Sequence, residues 1–265
     1  MKLVLDVGGV PFGIEHENRS WDKLLRKVYA GFVSNARPVF WAKIDAQEEY
    51  LSGVTSMPES IASPVGNGDY NLLWYDFRGV FEPGRRLCTC EAKATEFSIN
   101  GIYRLMLSNY ITESGGLLVH SASFVRDGKA YLFPGVSTAG KTTLSQITLK
   151  ERPGYEILSD EISCIRKVDG RWRAYGTPFW GDLKIAGRNI SAPLEKICFI
   201  NKAGEHGVAD LDSMGAFSSL MQNAMVMIRR RDISESIMDL GQDATRSVKT
   251  VRLNFRKDAG FWDLI

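Results

Sequence analysis

Residues 130–144 read AYLFPGVSTAGKTTL, a short apolar run followed by a loop rich in glycine and small residues. From Gly135 to Thr142 the loop fits the pattern Gly-x-x-x-x-Gly-Lys-Thr. Glycines let successive backbone amides point at phosphate oxygens, and a helix beginning at Lys141 adds the positive end of its dipole. The sequence therefore predicts a phosphate-binding loop between a strand and a helix.

The residue types within this loop predict particular contacts with a nucleotide. Lys141 is expected to reach the terminal phosphates as a point charge, and Thr142 to ligate Mg²⁺ through its hydroxyl. The nucleotide is ATP or GTP, because no residue distinguishes the two. The predicted nucleotide-binding residues are Gly135, Ser137, Thr138, Ala139, Gly140, Lys141, Thr142 and Thr143.

Two neighbouring segments supply candidate catalytic groups. The segment YEILS, expected to form a strand beside the loop strand, precedes Asp160 and Glu161. These carboxylates are predicted to hold Mg²⁺ with Thr142, and Asp160 to accept the proton of an attacking hydroxyl. Adjacent strand residues point in opposite directions, so one acid serves chemistry and the other structure. His120, in LLVHSASFV, is either a core residue or a group that assists Asp160 and Lys141 in catalysis.

Turn residues predict how the strands connect. Asp127-Gly128 separates two apolar runs, which predicts that the loop strand is the second arm of an antiparallel hairpin. Asp169-Gly170 predicts another hairpin. Apolar periodicity predicts a helix from Ser20 and another over 99–112, with Asn100 as its cap.

These elements predict an α/β chain of α+β character in two domains. Residues 1–114 are expected to form a strand-rich domain with one or two helices. Residues 115–265 are expected to form the nucleotide-binding catalytic domain, a phosphate-loop domain built on a mixed sheet.

Composition excludes several classes of protein. The 33 basic and 31 acidic residues give a net charge of +2, so we expect no nucleic-acid or membrane-surface partner. The four cysteines lack the spacing of a zinc site. Since no signal-peptide core and no run of membrane-spanning length is present, we expect a cytoplasmic protein.

Three segments together resemble the catalytic domain of HPr kinase/phosphorylase, which is allied to ATP-dependent phosphoenolpyruvate carboxykinase. They are VHSASF at 119–124, GVSTAGKTT at 135–143 and LSDE at 158–161, followed by GTPFWGD at 176–182. The resemblance implies the mixed-sheet phosphate-loop fold of that group, and self-association. It implies that His120 lies beside the active site and that Asp160 is the first of the paired acids. Glu161 stands where those enzymes usually have a second Asp, and Thr138-Ala139 lacks a glycine of their loop.

Function is predicted from the combination of loop, carboxylates and histidine. The leading hypothesis is a kinase that uses Mg²⁺ and ATP to phosphorylate a hydroxyl of a peptide, protein or small molecule. The hydroxyl is expected to be that of Ser. The alternative is a regulator that binds nucleotide without phosphoryl transfer. Carboxykinase chemistry is a third hypothesis, with Arg188 as one candidate arginine. Phe179 and Trp180 either stack on a base or substrate, or pack against other protein residues.

Overall fold

The computed structural model describes residues 1–49, 61–136, 138–228 and 230–265, so Ser137 of the predicted loop lies outside the described residues. The chain is a mixed α+β protein with two mixed β-sheets. It divides into two compact units, Met1–Tyr110 and Ile111–Ile265. No helix in the described part of the chain is long and apolar enough to cross a membrane.

The first unit contains a seven-stranded sheet in the order β1-β2-β3-β7-β6-β5-β4. Its strands are β1 (Lys2–Val7), β2 (Val10–Glu15), β3 (Phe40–Gln47), β4 (Ala62–Gly66), β5 (Asp69–Leu73), β6 (Phe77–Glu82) and β7 (Leu87–Lys93). Its helices are α1 (Arg19–Val28) and α2 (Glu96–Glu113), the latter running past the end of the unit, with 3₁₀ turns at Ala30–Phe32 and Pro83–Arg85.

Both predicted helices of this region are present, but one predicted cap is wrong. Asn18 caps α1 by accepting a hydrogen bond from the Trp21 backbone, and Trp21 is buried. Asn100 lies inside α2, because that helix begins earlier, at Glu96. The Asn100 side-chain oxygen instead accepts a hydrogen bond from the Tyr29 hydroxyl at 2.6 Å.

The second unit is built on an eight-stranded sheet in the order β10-β8-β11-β12-β13-β15-β14, with β9 paired to both β8 and β13. Its strands are β8 (Gly116–Arg126), β9 (Lys129–Pro134), β10 (Glu156–Ser159), β11 (Ile162–Val168), β12 (Arg171–Tyr175), β13 (Ser191–Lys202), β14 (Gly207–Asp210) and β15 (Lys249–Phe255). Its helices are α3 (Lys141–Glu151), α4 (Ser213–Met221) and α5 (Arg231–Ser247), and a 3₁₀ helix covers Ala259–Leu264.

The hairpin predicted to feed the loop is confirmed. β8 and β9 pair antiparallel, and Asp127 and Gly128 take the left-handed conformation with φ of 51° and 73°. Asp169-Gly170 likewise joins β11 to β12. The expectation that the strand before Asp160 lies beside the loop strand is wrong, because β10 pairs with β8, which separates it from β9.

The strand that feeds the loop is buried on both faces. Leu132 of β9 belongs to an apolar cluster that includes residues of α4 and α5. Tyr131 and Phe133 belong to a second cluster that includes Leu144 of α3 and Trp262. Side chains alternate between the two faces of a strand, so packing from both directions fixes β9 and the chain that follows it.

Candidate functional site

The register of β8 brings most of the predicted site residues to one place in the sheet. Ser121 of β8 lies opposite Pro134, the last residue of β9, and the Gly135 N–H donates to the His120 carbonyl at 3.5 Å. From the same strand, the Ser121 N–H donates to the Glu161 carbonyl at 2.9 Å. The loop, His120 and the acid pair therefore occupy neighbouring positions along β8, even though β10 does not adjoin β9.

The loop reaches α3 through backbone conformations that side chains rarely adopt. Gly140, the N-cap of α3, has φ of 110°. A Cβ added there would lie 2.6 Å from Cε of Lys202 and 2.8 Å from Cζ of Phe255, so only glycine fits. Thr138 has φ of 74°, which is unusual for a residue other than glycine. Ala139 lies between these two residues, and Thr142 and Thr143 are half-buried in the first turn of α3.

Lys141 is held within the loop. Its side chain is buried, and its amine donates to the Gly135 carbonyl at 2.7 Å and to the Val136 carbonyl at 3.4 Å. Burial lowers the pKa of Lys141, and the negative charges of Glu161 and Asp182 act in the opposite direction. Among the described residues, Glu161 and Asp182 are therefore the carboxylates whose charge acts on the loop lysine.

Asp160 has a different environment from its neighbour Glu161. It is 4% exposed, and its carboxylate accepts a hydrogen bond from the Gly181 backbone at 3.1 Å. Burial raises the pKa of Asp160, and the charge of Glu161 raises it further. Asp160 therefore anchors the segment that contains Gly181, while Glu161 acts on Lys141.

The segment 176–190 packs directly on β10. The Thr177 N–H donates to the Leu158 carbonyl, and the Gly187 N–H donates to the Thr177 carbonyl, both at 2.9 Å. A Cβ on Gly187 would lie 1.7 Å from the Leu158 carbonyl oxygen, so this close approach requires glycine. These bonds fix the position from which Asp182 acts on Lys141.

The structure also places the residues whose roles the sequence left open. Phe179 is fully buried and belongs to the protein interior, whereas Trp180 is half-buried. Arg188 pairs with Glu156. Sequence reasoning missed Asp182; its signal was a carboxylate within the glycine-rich segment GTPFWGD.

The donor set for a metal is small. Within the described ranges, no group of three or more His, Cys, Asp or Glu residues is arranged to hold a metal ion. The set predicted for Mg²⁺, Thr142 with Asp160 and Glu161, contains two carboxylates, and one oxygen of Asp160 is bonded to Gly181. Mg²⁺ is usually bound by one or two carboxylates together with substrate phosphates, so this donor set fits only a metal that arrives with a nucleotide.

Comparison with known families assigns the chain. Residues 89–255 match the family model described as SynChlorMet cassette protein ScmC. The chain belongs to this family. The ScmC match includes the loop, His120, the acid pair and Asp182. No curated protein matches the chain.

The ScmC match corrects the resemblance drawn from the motifs. The family that matches is neither HPr kinase/phosphorylase nor phosphoenolpyruvate carboxykinase, so that assignment is wrong. The segments VHSASF, GVSTAGKTT and LSDE are short local patterns, and unrelated families can carry similar sites. Such patterns alone do not assign a function.

Proposed function

We propose that the chain binds a nucleoside triphosphate with Mg²⁺ at residues 135–142 and transfers the terminal phosphoryl group to a hydroxyl of a peptide, protein or small molecule. A phosphate-loop kinase fold in the second unit is part of this proposal. The observation that carries it is the environment of Lys141. Its buried amine lies among loop carbonyls and is acted on by Glu161 and Asp182.

The loop binds phosphate in this proposal by exchanging partners. The amine of Lys141 leaves the Gly135 carbonyl for a phosphate oxygen, where the attraction between opposite full charges adds to the hydrogen bond. The free backbone N–H groups at the start of α3 add donors at the positive end of the helix dipole. Burial weakens competition from water, which strengthens both interactions.

The neighbouring acids have separate roles. Mg²⁺, when bound, would neutralise charge on the phosphate oxygens, and Thr142, Glu161 and Asp182 supply oxygen donors that suit it. Asp160 accepts the proton of the attacking hydroxyl, because a carboxylate with a raised pKa is a stronger base. His120, whose carbonyl is bonded to Gly135, assists from the adjacent position on β8.

Nucleotide binding is tested with Lys141→Met. Isothermal titration of Mg²⁺ with ATP or GTP should show binding to the wild type and an affinity at least about 100-fold weaker in the variant, because a charged hydrogen-bonding partner is lost. Lys129→Met is the control. Lys129 lies on the β8–β9 hairpin and pairs with Glu195 of β13, so this variant should bind nucleotide normally. Absence of binding to the wild type, or normal binding to Lys141→Met, would contradict the proposal.

Phosphoryl transfer is tested separately with γ-labelled ATP and a panel of hydroxyl compounds and peptides. The proposal predicts a labelled product whose formation requires both Lys141 and Asp160. One observation favours the alternative, a nucleotide-binding regulator: a carboxylate oxygen of Asp160 is already bonded to Gly181. Tight nucleotide binding without transfer, unchanged in Asp160→Asn, would support the regulator.

A further inference from the structure

A cavity of about 400 Å³ adjoins the phosphate loop. The loop, the ends of β13 and α4, and β15 form its walls. Its lining residues include Gly135, Val136, Asn201, Ser219, Asn223 and Arg252. The volume lies in the range of pockets that bind small molecules.

The charge of this cavity is positive. Among the described residues that line it, none is acidic and Arg252 is the one charged side chain. Arg252 is exposed on β15, and across the described parts of the chain no carboxylate forms an ion pair with it. A guanidinium presents several N–H donors in a planar fork that suits a carboxylate or phosphate group.

Asn223 supplies a second, buried polar group. Its side chain donates to the Ser219 carbonyl at 2.8 Å, but its side-chain oxygen has no hydrogen-bond partner among the described residues. An unpaired buried acceptor is unfavourable, and a hydroxyl donor from a ligand would satisfy it once the amide turns towards the cavity. The Asn223 carbonyl also accepts the His120 N–H at 2.7 Å, so this wall is connected to the start of the loop.

We infer that this cavity binds the phosphoryl acceptor and that the acceptor is a small hydroxy acid. Its carboxylate pairs with Arg252, and its hydroxyl lies between Asn223 and the loop. The inference rests on the proposed function: a bond forms from the acceptor oxygen to the terminal phosphorus, the bond to the nucleotide's bridging oxygen breaks, and the hydroxyl proton passes to Asp160.

Chemical labelling of Arg252 in the full-length protein tests the inference. Phenylglyoxal modifies accessible arginines, and peptide mass spectrometry reports the rate at each one. Glycerate and lactate should slow labelling of Arg252 severalfold, whereas the neutral amides of the same acids should not. Arg171, which is exposed on the hairpin of β11 and β12, should be labelled at the same rate throughout. Protection should persist in Lys141→Met, in which nucleotide binding is disabled.

Two results would overturn the inference. Acids and amides that protect equally, or not at all, would show that the cavity does not select a carboxylate. Protection by ATP but not by the acids would assign Arg252 to a nucleotide phosphate. Since Lys141→Met separates the two sites, failure here is distinguishable from failure of nucleotide binding. In the transfer assay, Arg252→Gln should raise KM for glycerate at least tenfold and leave ATP affinity unchanged.

Discussion

Residues with positive φ lie on both sides of strand β9, in the turn before it and in the loop after it. The two sets of residues serve different purposes. The turn before it contains Asp127 and Gly128, at φ of 51° and 73°, and the loop after it contains Thr138 and Gly140, at 74° and 110°. A Cβ on Gly128 would meet nothing within 4 Å, whereas one on Gly140 would collide with Lys202 and Phe255. The turn only reverses the chain, but the loop must also fit a crowded site.

Locally unfavourable structure is concentrated in and near the loop after β9 rather than in the turn before it. A left-handed residue other than glycine costs about 1–2 kcal/mol, and Thr138 is one. Lys141, within the loop, and Asp160, near it, are ionisable groups whose burial disfavours their charged forms. Asp127 is also left-handed, but it sits in a turn type that tolerates Asp. Such features concentrate at functional sites, where the surrounding structure compensates for them.

Gly140→Ala should have the largest effect. The added methyl group combines a φ forbidden to alanine with contacts under 3 Å, so we expect a loss of about 3 kcal/mol in the free energy of unfolding and loss of nucleotide binding. Gly128→Ala carries only the conformational cost, about 1 kcal/mol. Urea unfolding of both variants measures the difference. Equal losses would mean that the packing around Gly140 adds nothing.

Asp160→Asn should stabilise the protein while lowering its activity. Burial raises the pKa of Asp160, so the folded state binds this proton more tightly than the unfolded state does, and ionisation at neutral pH opposes folding. The asparagine retains an oxygen for Gly181 without the charge. We expect a gain of about 0.5–2 kcal/mol at pH 7 and a fall in phosphoryl transfer of about 10²–10⁴-fold.

The pH dependence of that gain is its sharper test. The wild type loses the stability associated with a protonated Asp160 as the pH rises through the raised pKa. The advantage of Asp160→Asn should therefore shrink as the pH falls through the raised pKa of Asp160, and it should be absent below about 4, the ordinary pKa of an Asp carboxyl. Thermal unfolding of both proteins across this range measures it. A gain that does not vary with pH would assign the effect to packing rather than to charge.

Sequence was sufficient where short-range geometry decides the structure. The hairpin at Asp127-Gly128 follows from residues that accept positive φ, and the helix at Lys141 follows from the end of the glycine loop. The cap predicted at Asn100 is wrong because Asn, a capping residue type, also occurs inside helices. Here its side-chain oxygen accepts a hydrogen bond from the Tyr29 hydroxyl.

Long-range pairing was beyond the sequence. The residues of YEILS do not predict whether this strand pairs with β8 or with β9, because a buried strand is apolar in either position. The action of Asp182 on Lys141 depends on how the segment 176–190 lies on β10, which no local pattern encodes. The family, too, lay beyond the short motifs, because the ScmC model matches the whole of residues 89–255 and not three local segments.

Thr138→Gly should produce a smaller gain. Glycine adopts φ of 74° without steric cost but loses more entropy on folding, so we expect a net stabilisation of about 0.5–1 kcal/mol. Nucleotide affinity should be retained, because the loop keeps its backbone path. Asp127→Gly, the matched change in the turn before β9, should shift stability by less than about 0.5 kcal/mol. A loss of stability in Thr138→Gly would mean that the threonine side chain makes a compensating contact.

Lys202→Met should have the smallest effect, and it tests whether the crowding at Gly140 also serves binding. The Lys202 stem packs where a Gly140 side chain would lie, at the end of β13, and its ammonium forms no ion pair within the described residues. Loss of one exposed positive charge near the proposed phosphate site should weaken ATP affinity about two- to fivefold and reduce the salt dependence of binding. Lys249→Met is the control, because Lys249 begins β15, roughly 20 Å of strand from the loop end. If both variants bind ATP equally well at low salt, Lys202 only fills space beside Gly140. The close packing at Gly140 then contributes nothing to binding.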